Sequence, residues 1–223
     1  MKKTLESIPI DDNRISVIIK DCISNDGTIE YFNDNQFNNL RFITNSDSGI
    51  YDAMNQAVKL VNTEYLLFLN AGEILFPTSV DTIIDYLFEK PTIIKFLVET
   101  ENAEIRKERA GYFYFMRHML NHQGIVYNVK CFHKNQFNKE MKITGDLRHL
   151  VEFNLWKKIK YCDKLIVKYL GNGVASNFNS IGINWRERLS VYKWTKVDHL
   201  LKILIFGASI VGLLNWKIKS LNK

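Results

Sequence analysis

A chain of 223 residues, 46% hydrophobic and 24% charged, has the makeup of an ordinary globular protein able to bury a sizeable core, which argues against disorder or low complexity. Thirty basic against 24 acidic residues leave a net charge of +6. Cys22, Cys131 and Cys162 lie far apart without a C-x-x-C pair, which argues against a cysteine-built zinc site or a disulfide framework and for packed thiols in a reducing compartment.

In chain order, the first predicted strand runs from Ile15 to Lys20 and delivers Asp21 to its carboxyl end, ahead of the turn formers Ser24, Asn25, Asp26 and Gly27. Asp26 suits the cap of a helix starting near Gly27 to Ile29. Ile50, Ala53, Met54, Ala57, Val58 and Val61 then recur at the three-and-four spacing of an amphipathic helix. Asp47 and Gly49 occupy the loop before it, and Asp52 and Asn55 lie on it. Tyr65 to Leu69 is apolar almost throughout, as in a strand covered on both faces of a parallel sheet, and it stops at Asn70-Ala-Gly-Glu73. Open α/β sheets bind ligands at the carboxyl ends of their strands, so Asp21, Asn70 and Glu73 stand where chemistry is expected. Further on, His122 and Gln123 precede a strand from Ile125 to Phe132. Asp146 follows Gly145 and precedes Leu147, Leu150 and Val151, which places a carboxylate at a helix N-terminus, where it also serves as a plain cap.

The excess charge belongs to the tail. Trp185 to Lys223 holds eight basic and two acidic residues, which accounts for the whole +6. Trp185, Leu189, Tyr192, Val197 and Leu200 can share a helical face, and Ile203 to Leu214 is an uncharged apolar run closed by Trp216, Lys217 and Lys219. Twelve residues of helix rise only about 18 Å against a hydrocarbon layer of roughly 30 Å, so the expectation is an interfacial or re-entrant anchor at a cytoplasmic membrane surface, not a full span, with a helix packed on the domain or on a partner subunit as the alternative. No nucleic-acid motif accompanies the basic residues, and no signal peptide is visible at Met1-Lys-Lys.

The run Asp47-Ser-Gly-Ile-Tyr-Asp-Ala-Met-Asn55, followed by Glu64-Tyr-Leu-Leu-Phe-Leu-Asn-Ala-Gly-Glu73, resembles the family 2 glycosyltransferases of the GT-A fold, in particular those that build bacterial surface polysaccharides. Ile15 to Thr28, Asn121 to Asn128 and Lys142 to Asn154 look like three more blocks of that family in the same order, so the resemblance covers roughly residues 4 to 175. It implies an α/β domain over residues 1–180, a doubly wound, mostly parallel sheet with flanking helices, followed by a basic amphipathic and apolar helical tail over 181–223. It also implies an inverting glycosyltransferase that moves a sugar from a nucleotide-diphosphate donor to a hydroxyl of a glycan or lipid-linked acceptor. By the same resemblance Asp21 contacts the nucleotide base and Asp47 the donor, with Asn55 and Asn70 on that side. Glu73 stands where the family carries an Asp that holds a divalent cation, Mg²⁺ or Mn²⁺. His122 and Gln123 line the acceptor or diphosphate side, and Asp146 is the general base.

Two departures follow from the same comparison. Glu73 is longer than the usual Asp by a methylene, which moves the carboxylate by about an ångström at a site where geometry matters. The family also opens with a strand that carries the first base contact, whereas Met1-Lys-Lys-Thr-Leu-Glu-Ser-Ile8 resembles the helix after it. A sheet without that central strand should leave two neighbours unpaired around a trench in the core. An inactive scaffold that keeps the fold for interaction is the rival reading.

Overall fold

The computed structural model describes residues 1–171 and 178–221. In chain order its elements are α1 (Lys2–Ser7), β1 (Val17–Asp21), α2 (Thr28–Asp34), β2 (Leu40–Thr44), α3 (Ile50–Val58), β3 (Tyr65–Leu67), β4 (Ile74–Leu75) and α4 (Ser79–Leu87). There follow β5 (Ile93–Thr100), β6 (Ile105–Arg106), α5 (Tyr112–Arg117), β7 (Ile125–Asn128), α6 (Gly145–Glu152), β8 (Ile159–Tyr169), α7 (Phe178–Leu189) and α8 (His199–Leu221).

The main sheet has the order β3-β7-β5-β8-β4, with β6 paired to β5. Its parallel pair is β5 with β8, from Ile93 opposite Ile159 to Thr100 opposite Tyr169. The pairs β3–β7, β7–β5, β8–β4 and β5–β6 are antiparallel. The sheet is therefore mixed where the resemblance led to a mostly parallel one. Strands buried on both faces read as continuous apolar runs whichever way they point, so β5 and β7 carry no sign of their direction.

Alternate residues of β5 feed two cores, as the period of a strand requires. Ile93 joins Ile125, Tyr127, Leu147, Leu150 and Val151 on one face, while Ile94 and Phe96 join Leu75, Val80, Val126 and Ile166 on the other. Val191, Trp194, Val197, Leu201 and Ile205 belong to the first core. The segment from 181 onward, expected as an appended tail, thus shares the core of residues 1–180. Within it α8 runs unbroken for 23 residues, nearly twice the apolar run that marks it in the sequence.

β1 pairs in parallel with β2, Val17 opposite Leu40, and with no other strand among the described residues. A cavity of about 1230 Å³ separates it from β3. Val17, Ile18, Ile19 and Lys20 line one wall and Tyr65, Leu66 and Leu67 the other, with Met54 and Ala57 of α3 and Ile83 and Ile84 of α4 closing it on either face. This is the geometry of the expected trench. It also explains why β3, expected to be covered on both faces, is only half-buried along its length.

His149 of α6 is enclosed in the first core, with its ring stacked on Phe132 at 4.8 Å and Nε2 2.6 Å from the Asn135 carbonyl oxygen. Burial pulls its pKa down from 6.5 to about 4. Between those values the unfolded chain binds a proton that the folded chain refuses, so stability should fall by roughly 3 kcal/mol as pH drops from about 6.5 to 4. Urea unfolding across that window checks it, and His149→Leu should remove most of the pH dependence.

Candidate active site

The cavity continues past the carboxyl ends of β1 and β3 to Asn70, Ala71, His122, Gln123 and Asp146. Asp146 lies in the first turn of α6, buried, with Oδ1 accepting the N–H of Leu147 at 2.8 Å. The Tyr51 hydroxyl shares its one proton between the same oxygen at 3.1 Å and the carbonyl of Ile143 at 2.8 Å. His122 Nδ1 is 3.3 Å from the other carboxylate oxygen, Oδ2. Tyr51 itself is enclosed, and burial, reinforced by the nearby Asp146 charge, pushes its phenol well above its ordinary pKa. It therefore acts as a neutral donor.

Tyr51 reaches Asp146 because the residue before the acid is Gly145. A Cβ there would come within 2.7 Å of the Tyr51 ring. The same turn is gripped from the tail: Glu187 of α7 accepts the N–H groups of Lys142, Ile143 and Thr144 at 2.6, 3.1 and 2.8 Å, together with the Thr144 hydroxyl. These donors precede a helix and have no intrahelical partner, so one carboxylate satisfies the segment that aims Asp146.

His122 opens a single 3-10 turn, His122–Gly124, directly ahead of β7, with the Asn121 side chain capping Gln123 N–H at 3.0 Å. His122 Nε2 is buried without a hydrogen-bond partner among the described residues. Gln123 is buried, and its Oε1 lies 3.4 Å from the backbone nitrogen of Asn70, which joins the two sides of the cavity. Gly124 allows this turn to sit on β5, since a Cβ would meet Val98 at 2.5 Å and Lys95 Nζ at 2.7 Å. Below it, Lys95 pairs with Glu108 at 3.0 Å. Burial pulls the lysine pKa down while Glu108 opposes that shift. Glu108 in turn accepts the N–H of Asn121, so the pair fixes the start of the His122 turn.

The donor-side residues are more heavily engaged than the sequence suggests. Asp21 ends β1 as expected, buried, with its carboxylate taken by the backbone and hydroxyl of Ser24 and by Thr44. Burial raises its pKa, but those hydrogen bonds outweigh it and the net shift is downward. Asp47 pairs with Lys20 at 2.7 Å and accepts Gly49 N–H at 3.1 Å. Lys20, unremarked in the sequence, also donates to the carbonyls of Asp21 and Asn45 and lines the cavity. It ties together the two loops that hold Asp21 and Asp47. The amide of Asn55 exchanges two hydrogen bonds with the backbone of Phe137, at 2.9 and 3.0 Å, and Asn55, like Asp21, Asp47 and Glu73, is not among the residues that line the cavity. Glu73 is buried beside the end of β8, where Oε2 accepts Leu170 N–H at 2.7 Å. Among the described residues no three His, Cys, Asp or Glu side chains gather as a metal cluster.

A model of the family described as Glycosyl transferase family 2 matches residues 2–147. No curated protein matches the chain. Among solved structures, residues 1–349 of TarS from S. aureus share the fold at 16% identity with a TM-score of 0.65, over 98% of this chain and 67% of that one. The same fragment in complex with UDP-GlcNAc gives 15% and 0.68 over 98% and 68%, and in complex with UDP 16% and 0.63 over 94% and 66%. The chain thus spans about two thirds of the TarS fragment.

The fit of Tyr51 under Gly145 makes a stability prediction. Gly145→Ala should cost about 1–3 kcal/mol by overpacking. Most of that cost should vanish in a Tyr51→Ala background, where the ring it strikes is gone. A double-mutant cycle by urea unfolding reads the coupling, and additive losses would contradict the contact.

Proposed function

The chain belongs to glycosyl transferase family 2, and on that premise we propose that it is an inverting glycosyltransferase. In this reading it moves a sugar from a nucleotide-diphosphate donor to a hydroxyl of a glycan or lipid-linked acceptor in cell-surface polysaccharide synthesis. The observation that carries it is the placement of Asp146, a carboxylate on the cavity wall at a helix N-terminus, oriented by Tyr51 and Leu147 through Oδ1 and flanked by His122 at Oδ2. The oxygen beside His122 takes the proton of the acceptor hydroxyl while that hydroxyl oxygen attacks the anomeric carbon. The bond from that carbon to the diphosphate breaks, its electron pair leaves with the nucleoside diphosphate, and attack from the opposite face inverts the centre. Gln123 and Asn70 bound the space between base and donor. Asp21, Asp47 and the Lys20 that bridges their loops are the donor-side residues of this proposal, while Asn55 acts through the loop at Phe137.

Glu73 fits a hard divalent cation in a minimal way. Glu73 is the residue that would hold Mg²⁺ or Mn²⁺ in this reading; it is buried, and one of its carboxylate oxygens accepts Leu170 N–H. Such a cation, when bound, neutralises charge on the departing diphosphate. The TarS complexes make uridine nucleotides the first donors to try. A location at the inner face of the membrane goes with a lipid-linked acceptor and with the apolar basic tail.

The cavity between β1 and β3 favours a second reading, an inactive scaffold. β1 and β3 face each other across it without a ladder bond among the described residues, and a donor side left this open should bind a donor weakly. The test compares wild type with Asp146→Asn and Glu73→Ala on UDP-, GDP- and dTDP-sugars with and without Mn²⁺. Asp146→Asn should lower transfer by about 10² to 10⁴, and Glu73→Ala should abolish any gain from the cation. Equal activity in all three proteins would remove both roles, and no transfer by wild type from any of the donors would leave the scaffold.

A further inference from the structure

A helix laid on a globular domain ordinarily shows water its polar side. α8 does the opposite. Its inner face is docked along most of its length: Leu201, Ile205 and Ser209 are buried, Gly212 lies against the Trp185 ring, and Trp216 lies against Gly182. Its outer face repeats Leu200, Ile203, Phe206, Ile210, Leu214 and Ile218 at steps of three and four, all exposed, with Ile203 at 68% and Leu214 at 57%. No charged residue occurs between Ile203 and Leu214, and no acidic residue anywhere in α8.

We propose that this outer stripe binds an anionic lipid bilayer, with α8 lying in the plane of the membrane surface. The proposal deepens the membrane location of the preceding reading and rests on it. Charge selects the occupant. Lys193, Lys196 and Lys202 stand at one end of the uncharged run, with Asp198 among them engaged by the N–H groups of Leu200 and Leu201, and Lys217 and Lys219 stand at the other, the lysines all with access to solvent. Lysines flanking an apolar face are what anionic headgroups attract. A second copy of the chain is a poor occupant, because pairing two α8 helices in either direction brings lysines against lysines, five of them against the single acid Asp198, whose carboxylate caps the helix start. The long axis also follows from packing. At 23 residues α8 rises about 35 Å, enough for a span, but α7 is packed against it and carries Arg188 and Glu187. Both are committed to the domain, Arg188 to the Phe115 carbonyl and Glu187 to the turn at Lys142–Thr144. Threading α8 through hydrocarbon would draw those groups in with it. Lying flat buries only the outer stripe.

The experiment is co-sedimentation of the full chain with vesicles of phosphatidylcholine alone and of phosphatidylcholine mixed equally with phosphatidylglycerol, without donor or acceptor. Binding to the anionic vesicles is expected. Binding should fall more than tenfold in a variant carrying Ile203→Asn, Ile210→Asn and Leu214→Asn, whose exposed positions leave the fold intact by circular dichroism. Lys217→Gln with Lys219→Gln should lower it about tenfold or more. Release by alkaline carbonate is expected of an in-plane helix, and resistance to it would overturn the orientation. Failure of wild type to bind, unchanged binding of the triple variant, or a dimer that the triple variant dissolves would overturn the proposal. Because no sugar transfer is measured, failure here leaves the transferase reading standing, and inactivity there leaves lipid binding to be judged by itself.

Discussion

The ring of Tyr51 lying flat against Gly145, with its hydroxyl between the Ile143 carbonyl and the Asp146 carboxylate, joins the two halves of the site. It is one contact between α3, which follows the donor-side loop, and α6, which carries the candidate base. A side chain at 145 or a shorter ring at 51 would let the two elements separate. Glu187 completes the arrangement from the far side by satisfying three successive backbone donors, and Glu152 at the other end of α6 accepts the N–H of Thr195 at 3.0 Å. α6 is therefore clamped at both ends by the C-terminal segment. The tail is structural to the site as well as adjacent to it.

Much of this was legible in the sequence where the signal is local. The stripe from Ile50 to Val61, the apolar run from Tyr65 and the carboxylate ahead of Leu147 each announce an element through periodicity or capping, and each element is present. The four motif blocks, in order, were enough for the family. What stayed hidden depends on partners far along the chain. Tyr51 falls outside the apolar stripe of its helix and carries no local sign of a role until its partner 95 residues away is known, and the only hint is the glycine before Asp146. Asn55 has the look of a site residue, but the backbone of Phe137, 82 residues on, satisfies its amide. Strand direction is illegible for a different reason, since burial on both faces erases the alternation that would betray an antiparallel strand.

α8 outruns its apolar segment because Asn215, Lys217 and Lys219, which look like a stop, are part of the helix. Lysine in a last turn is instead favoured by the helix dipole, and the helix continues through it to Leu221. Its two apolar faces serve different solvents, protein on one side and the outer environment on the other. This is why no simple amphipathic stripe stood out.

The cavity beside β1 also bears on how the molecule opens. β1 and β2 share ladder bonds with each other alone among the described residues, and α2 closes a small aromatic cluster over them, with Phe32 stacked on Phe42 at 4.6 Å and near Phe37 at 5.8 Å. Opening the unit from Val17 to Thr44 breaks no ladder bond of the main sheet, so its amide protons are expected to exchange through a sub-global opening and not through global unfolding. Asp21 and Lys20 travel with that unit, while Asn70 and Asp146 stay behind. A ligand that touches both sides holds the unit closed, and the extra exchange protection it confers on residues 17–44 measures its binding free energy.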